Sequence, residues 1–106
     1  MAKWLFLAHT NCKDPAREAE FNEWYDKVHI PDILKGLPEF LKATRYEAHG
    51  SSKTPSKYVA VYEIESSDIE QTMARLWENV RIWSAQGRMS DLTVMVQQEI
   101  YCQMGQ

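Results

Sequence analysis

The stretch Lys57-Tyr58-Val59-Ala60-Val61-Tyr62-Glu63-Ile64 decides the architecture. Tyr58 to Tyr62 is apolar at both parities. A strand of that kind is covered on both faces and belongs in the middle of a sheet. A second run of the same kind, Trp4-Leu5-Phe6-Leu7-Ala8, lies within a strand predicted over residues 3–9. Two central strands need edge partners. Residues 40–49 supply one, joined to 57–64 as a hairpin through the polar turn 50–56. Residues 92–102 supply the other. There Leu92, Val94, Val96, Ile100 and Cys102 share one parity, interrupted by Gln98, and Thr93, Met95, Gln97, Glu99 and Tyr101 share the other.

Two helices fill the gaps. Asp14-Pro15 opens the first, because Asp caps free N–H groups and Pro at the first helical position gives up nothing. Phe21, Trp24, Tyr25 and Val28 form its buried stripe. The helix is expected to reach about His29, where Pro31 stops it before a further short turn at Asp32, Ile33 and Leu34. Ser67-Asp68-Ile69-Glu70 reads as a capping box with Ser67 at the cap. The helix after it buries Ile69, Met73, Leu76, Trp77 and Val80, and Trp83 continues the stripe.

The order is β-α-β-β-α-β. Right-handed crossovers turn it into an α+β, ferredoxin-like fold: a four-stranded antiparallel sheet in the order 4-1-3-2 with two helices on one face. The 106 residues form a single domain over 1–106. The other sheet face is left apolar and bare, which predicts a homodimer through the sheet faces.

Composition narrows the function. The net charge of −3 leaves no basic footprint for nucleic acid. The five-residue apolar run near the N-terminus is too short for a signal-peptide core or a membrane span, so a soluble cytoplasmic protein is expected. Cys12 and Cys102 form no metal spacing and are expected to be free thiols. Three scattered histidines make no metal site, and no glycine-rich phosphate loop, HExxH or CxxC is present. Neither metal nor cofactor is expected. Aromatic residues at 11% fit a dense core or a ring-lined pocket for a small apolar or aromatic ligand.

The chemistry concentrates in Phe21 to Leu34. His29 is placed at a helix C-terminus, whose partial negative charge raises an imidazole pKa, and Asp32 stands three residues on, within reach of the ring. Such a pair suits general acid–base work, and equally His29 simply caps carbonyls. Topology puts His9 and His29 at opposite ends of the domain, with His29 near Trp4, Leu34 and Phe40. Arg45 and Tyr46 point to opposite faces of their strand, and parity does not decide which one meets the helices. Trp24 and Trp77 read as core or as ligand platform. Trp83, beside the Gln86-Gly87 loop, is placed at a pocket mouth, and Met95 is among the methionines that suit an adaptable wall.

The string Trp24-Tyr25-Asp26-x-x-His29-x-Pro31-Asp32-x-Leu34, with FLKATRYE and KYVAVYEIES after it, resembles the EthD-like branch of the dimeric α/β-barrel superfamily, over most of the chain from about Trp4 to Tyr101. That branch is named for a protein associated with ethyl tert-butyl ether degradation. The resemblance implies the fold above, a homodimer, and a pocket between sheet and helices. It places the family histidine at His29, its aromatic neighbours at Trp24 and Tyr25, its Arg-Tyr at Arg45 and Tyr46, and its third-strand tyrosine at Tyr58 or Tyr62. The function it implies is a cofactor-independent isomerase, dehydratase or cyclase acting on an apolar aromatic or polyketide-like substrate. His29, Asp32 and Tyr25 are then the catalytic set, and Trp24, Arg45, Tyr46, Tyr62, Trp77 and Trp83 the substrate-binding set. The alternatives are a non-catalytic binding or accessory protein, or a haem-binding or monooxygenase relative.

Overall fold

The two stretches apolar at both parities, β1 (Ala2–Cys12) and β3 (Tyr58–Ser66), pair antiparallel in the middle of one sheet, with β2 (Phe40–Glu47) on the far side of β3 and β4 (Thr93–Cys102) on the far side of β1. This is a computed structural model, and it describes residues 1–105. The order β2-β3-β1-β4 and the helices on one face make the fold ferredoxin-like α+β, as the sequence predicts. Trp4, Phe6, Ala8 and Thr10 of β1 and Tyr58, Ala60, Tyr62 and Ile64 of β3 form the helix-facing layer. Phe6 stacks on Tyr62 with centroids 5.6 Å apart, and Phe40 meets Tyr62 edge-on at 5.6 Å. Burying a ring of this size contributes roughly 2–3 kcal/mol.

The first helical segment is longer than the sequence suggests. A short 3₁₀ turn (Pro15–Arg17), capped by Asp14, leads into α1 (Glu18–Trp24), then a π-helical turn (Tyr25–His29), then α2 (Ile30–Gly36). Pro31 does not stop the rod. In an α-helix its ring would meet the carbonyl four residues back. Here the preceding turn is widened, with the Ile30 N–H bonded to the Tyr25 carbonyl, and Pro31 falls in the first turn of α2. The wide turn also keeps one face inward. Phe21, Tyr25, His29, Ile33 and Leu37 are each four residues apart, a spacing that drifts by about 40° per step in an ideal α-helix. A π turn takes that drift back. Phe21, Tyr25, Ile33 and Leu37 are buried.

The second helix, α3 (Ile69–Ala85), is capped one residue later than predicted: Asp68, not Ser67, accepts from the Gln71 N–H at 3.1 Å. Gly36 lets α2 approach α3, since a Cβ there would lie 3.1 Å from Asn79 Nδ2.

Two bulges reset the edge strands. Between Phe40 and Lys42 the register to β3 shifts, so Phe40, Ala43 and Arg45 share the helix face and Tyr46 points outward. Between His9 and Thr10 the register to β4 shifts, so Met95, Gln98 and Ile100 share the helix face, whereas strict alternation set Met95 against the other two. No helix among the described residues is long and apolar enough to cross a membrane.

Candidate functional site

Because the rod continues through Pro31, His29 sits in its middle rather than at an end. None of Trp4, Leu34 and Phe40, its expected neighbours, lines a cavity with it. His29 instead lines a cavity of ≈ 30 Å³ against the centre of the sheet. Phe6, Ala8, Ile33, Leu76 and Val80 form the apolar walls. Tyr25, His29, Tyr62 and Gln98 bring the polar atoms, and Trp77 and Met95 complete the lining. No lining residue carries a formal charge at neutral pH. Trp77 is 43% exposed and Met95 46%, so the outer wall is made of side chains with room to swing. At its present volume the cavity holds about one water, and a ligand requires that wall to open.

The imidazole is held by rings. Trp24 stacks on it with centroids 4.8 Å apart and 16° between planes, Tyr25 meets it edge-on at 5.3 Å, and Trp83 at 6.2 Å. Burial in this shell pushes the His29 pKa down to about 4, opposed by the negative charge of Asp32. This reverses the expectation of a raised pKa. The helix-end argument fails because there is no helix end, and desolvation disfavours the charged form. At neutral pH His29 is an uncharged imidazole.

Asp32 does not orient that ring. Its two carboxylate oxygens accept from Arg88 Nε at 2.7 Å and Nη2 at 2.9 Å. The loop between α3 and β4 is tied down again where Trp24 Nε1 donates to the Arg88 carbonyl at 2.8 Å. Gly87, at φ 74°, makes the turn that Arg88 needs.

The remaining predicted residues separate. Tyr25, Tyr62 and Trp77 line the cavity; Trp24 and Trp83 stand behind His29 without lining it. Tyr46 is on the outer sheet face, away from the cavity. Arg45 is on the helix face but does not line the cavity either: its guanidinium lies over the Tyr25 ring at 4.4 Å and donates to Asn22 Oδ1 at 2.9 Å and Asp26 Oδ1 at 3.2 Å. His9 lies on the outer face, 2.8 Å from Glu99 Oε1. Burial raises both phenol pKa values, Tyr62 the further, and Tyr62 is raised again by the adjoining Tyr25 hydroxyl. Both are therefore protonated hydrogen-bond donors at neutral pH.

Gln98 is the cavity residue that the site prediction omits. Its signal was present as the one polar residue among the apolar positions of its strand. A wider groove of ≈ 300 Å³ near Leu5, Leu41 and Tyr101 is larger, but its ionisable side chains are a lysine, a glutamate, a tyrosine and a cysteine, with no imidazole. The smaller cavity is the better candidate because it gathers an imidazole, two phenols and an amide in an apolar shell. Among the described residues no cluster of three or more His, Cys, Asp or Glu side chains is placed to hold a metal.

No family model matches the chain, and no curated protein matches its sequence. Solved structures do. HapK from Hahella chejuensis superposes with a TM-score of 0.66 at 18% identity, over 97% of this chain and 94% of that one. A dimeric ferredoxin-like protein of unknown function from Thermobifida fusca gives 0.58 at 7% identity, over 95% and 89%. An ethyl tert-butyl ether degradation (EthD) family protein from Bacillus halodurans gives 0.57 at 19% identity, over 98% and 100%. At these identities the likeness concerns the fold alone: the chain has the ferredoxin-like α+β fold, as the EthD family protein and the other similar structures do.

Proposed function

We propose that the protein is a cofactor-independent enzyme that moves a proton on a small, neutral, largely apolar substrate, with His29 as the base. One observation carries this reading: the His29 imidazole shares an apolar cavity with the Tyr25 and Tyr62 side chains, where burial favours its uncharged form. A lining without charges selects a neutral ligand, since a buried charge needs a partner. Trp77 and Phe6, edge-on at 6.0 Å, offer ring surfaces to a planar one.

A base with a pKa of about 4 is weak in the empty cavity. It strengthens when the substrate ionises. An imidazolium about 4 Å from an enolate gains roughly 4 kcal/mol at an effective dielectric of about 20. That is about three pKa units, enough to return His29 to near neutrality. The stacked Trp24 face adds cation–π stabilisation to the imidazolium. In the step, a C–H bond next to a carbonyl breaks, an N–H bond forms on His29, and the electron pair moves to the carbonyl oxygen, which a tyrosine hydroxyl can hold. Return of the proton to another carbon is an isomerisation. Its delivery to a leaving hydroxyl is a dehydration.

The outer sheet face is proposed to be covered by a second copy of the chain. Leu5, Leu41, Tyr46 and Tyr101 are exposed there, and a similar structure from Thermobifida fusca is described as dimeric.

The test uses aryl ketones with exchangeable α-hydrogens in deuterated buffer, read by NMR. Exchange catalysed by the wild type, lost in His29→Ala while binding persists, supports the reading. Equal exchange in both proteins, or binding with no exchange, replaces it with a non-catalytic binder. A Soret band in the purified protein points to the haem-binding alternative.

A further inference from the structure

Gln98 is a cavity residue that the proton-transfer step leaves without a role. It lies opposite Ala8 in the register, on the face it shares with Met95 and Ile100. Gln97 and Glu99, its neighbours in sequence, point the other way, where they are hydrogen-bonded to each other and Glu99 to His9. The strand itself does not call for an amide at this position. Another valine would suit it better, and an edge that only had to be protected from pairing would carry a charge. Gln98 does neither, and its side chain reaches the cavity that His29 lines.

The cavity has two unlike ends. Tyr25 and Tyr62 are buried and close the inner one. Gln98, Trp77 and Met95 are exposed and form the outer wall. Tyr62 is on β3 and Gln98 on β4, with β1 between them, so their strands are two interstrand spacings apart, roughly 10 Å. Ala8, the smallest lining side chain, keeps the floor low between them. We propose that Gln98 is the specificity-determining residue of this site, and that the ligand is a neutral planar molecule with a polar group at each end. A tyrosine hydroxyl holds a carbonyl at the inner end. Across an apolar middle, the Gln98 amide holds a hydroxyl or a second carbonyl. The inference rests on the reading of this cavity as the ligand site and adds which substrates it accepts. A carboxamide donates through Nε2 and accepts through Oε1 without a charge, so it reads such a group and keeps the lining neutral. Water satisfies the amide while it is exposed. A ligand that covers it without offering a partner strips that water and leaves the amide unpaired, which disfavours binding.

The probes are 2-acetylnaphthalene and 6-acetyl-2-naphthol, the same planar ketone without and with a hydroxyl at its far end. Binding is followed at pH 6 by fluorescence titration. The naphthol and His29 are both uncharged at that pH. The readout is the ratio of the two dissociation constants. Gln98→Met keeps the length of the side chain and removes the amide, and the position is exposed on an edge strand, so the variant folds. Its preference for the hydroxylated ketone is expected to fall about tenfold relative to the wild type, with 2-acetylnaphthalene bound as tightly as before or more tightly. A ratio unchanged in Gln98→Met, or a wild type that does not favour the hydroxylated ketone, overturns the inference and leaves the cavity reading intact. Failure of both probes to bind, or binding untouched by Val80→Trp on the cavity wall, overturns both.

Discussion

Acidification should unfold this protein partly through His29. The imidazole has a pKa of about 4 in the folded chain against 6.5 as the reference value. Between those values the unfolded state binds more protons, so stability rises with pH. The contribution is fully present above about pH 6.5 and is lost as pH falls toward 4, below which both states are protonated. The full loss is about 2.5 pKa units, or roughly 3 kcal/mol, and about 2 kcal/mol of it is already gone at pH 5. That is a large fraction of the stability of a domain this size. The assay is urea unfolding at pH 7 and pH 5 for the wild type and for His29→Leu. The leucine fills the shell but takes up no proton. The difference between the two pH values should be about 2 kcal/mol larger in the wild type. Lowered carboxylates such as Glu18, held by Lys57 and Tyr58, and Glu99, held by His9, destabilise both proteins alike and drop out of the comparison. An equal pH difference in the two proteins, or an imidazole that titrates near 6.5 by NMR, refutes the argument that burial holds His29 neutral.

Tyr46→Lys should weaken self-association by at least tenfold in sedimentation equilibrium while leaving the affinity of an aromatic ligand unchanged, because Tyr46 is on the face opposite the cavity. Arg88→Ala should leave the urea unfolding midpoint close to that of the wild type, because an ion pair in contact with water adds little to stability. Its pair with Asp32 is bidentate, but the arginine side chain is 46% exposed.

The topology was legible in the sequence because hydrophobic parity is a local property. Trp4 to Ala8 and Tyr58 to Tyr62 lack alternation, a strand covered on both faces has to be central, and right-handed crossovers leave one order for the rest. His29 stood out as a candidate for the same reason: Trp24, Tyr25, His29 and Pro31 lie close together in the chain. Its environment was not legible. Pro31 reads as a helix stop, and one widened turn leaves no mark in composition, yet it carries His29 from a solvated helix end to the half-buried wall of the cavity and moves its pKa in the opposite direction.

The same limit applied to the strands. Parity counting cannot see an extra residue, and each bulge reverses the facing of everything beyond it. One bulge put Arg45 under the helices and Tyr46 outside; the other aligned Met95 and Gln98 on the cavity wall. Asp32 shows the long-range case, since its partner Arg88 is 56 residues away and no spacing rule connects them. Periodicity along the chain therefore settled which elements exist and how they are ordered. The charge state of the imidazole, the partner of each carboxylate and the face of each edge residue arose only when distant segments packed. These depend on desolvation and register, which are properties of the assembled neighbourhood rather than of any stretch of the chain.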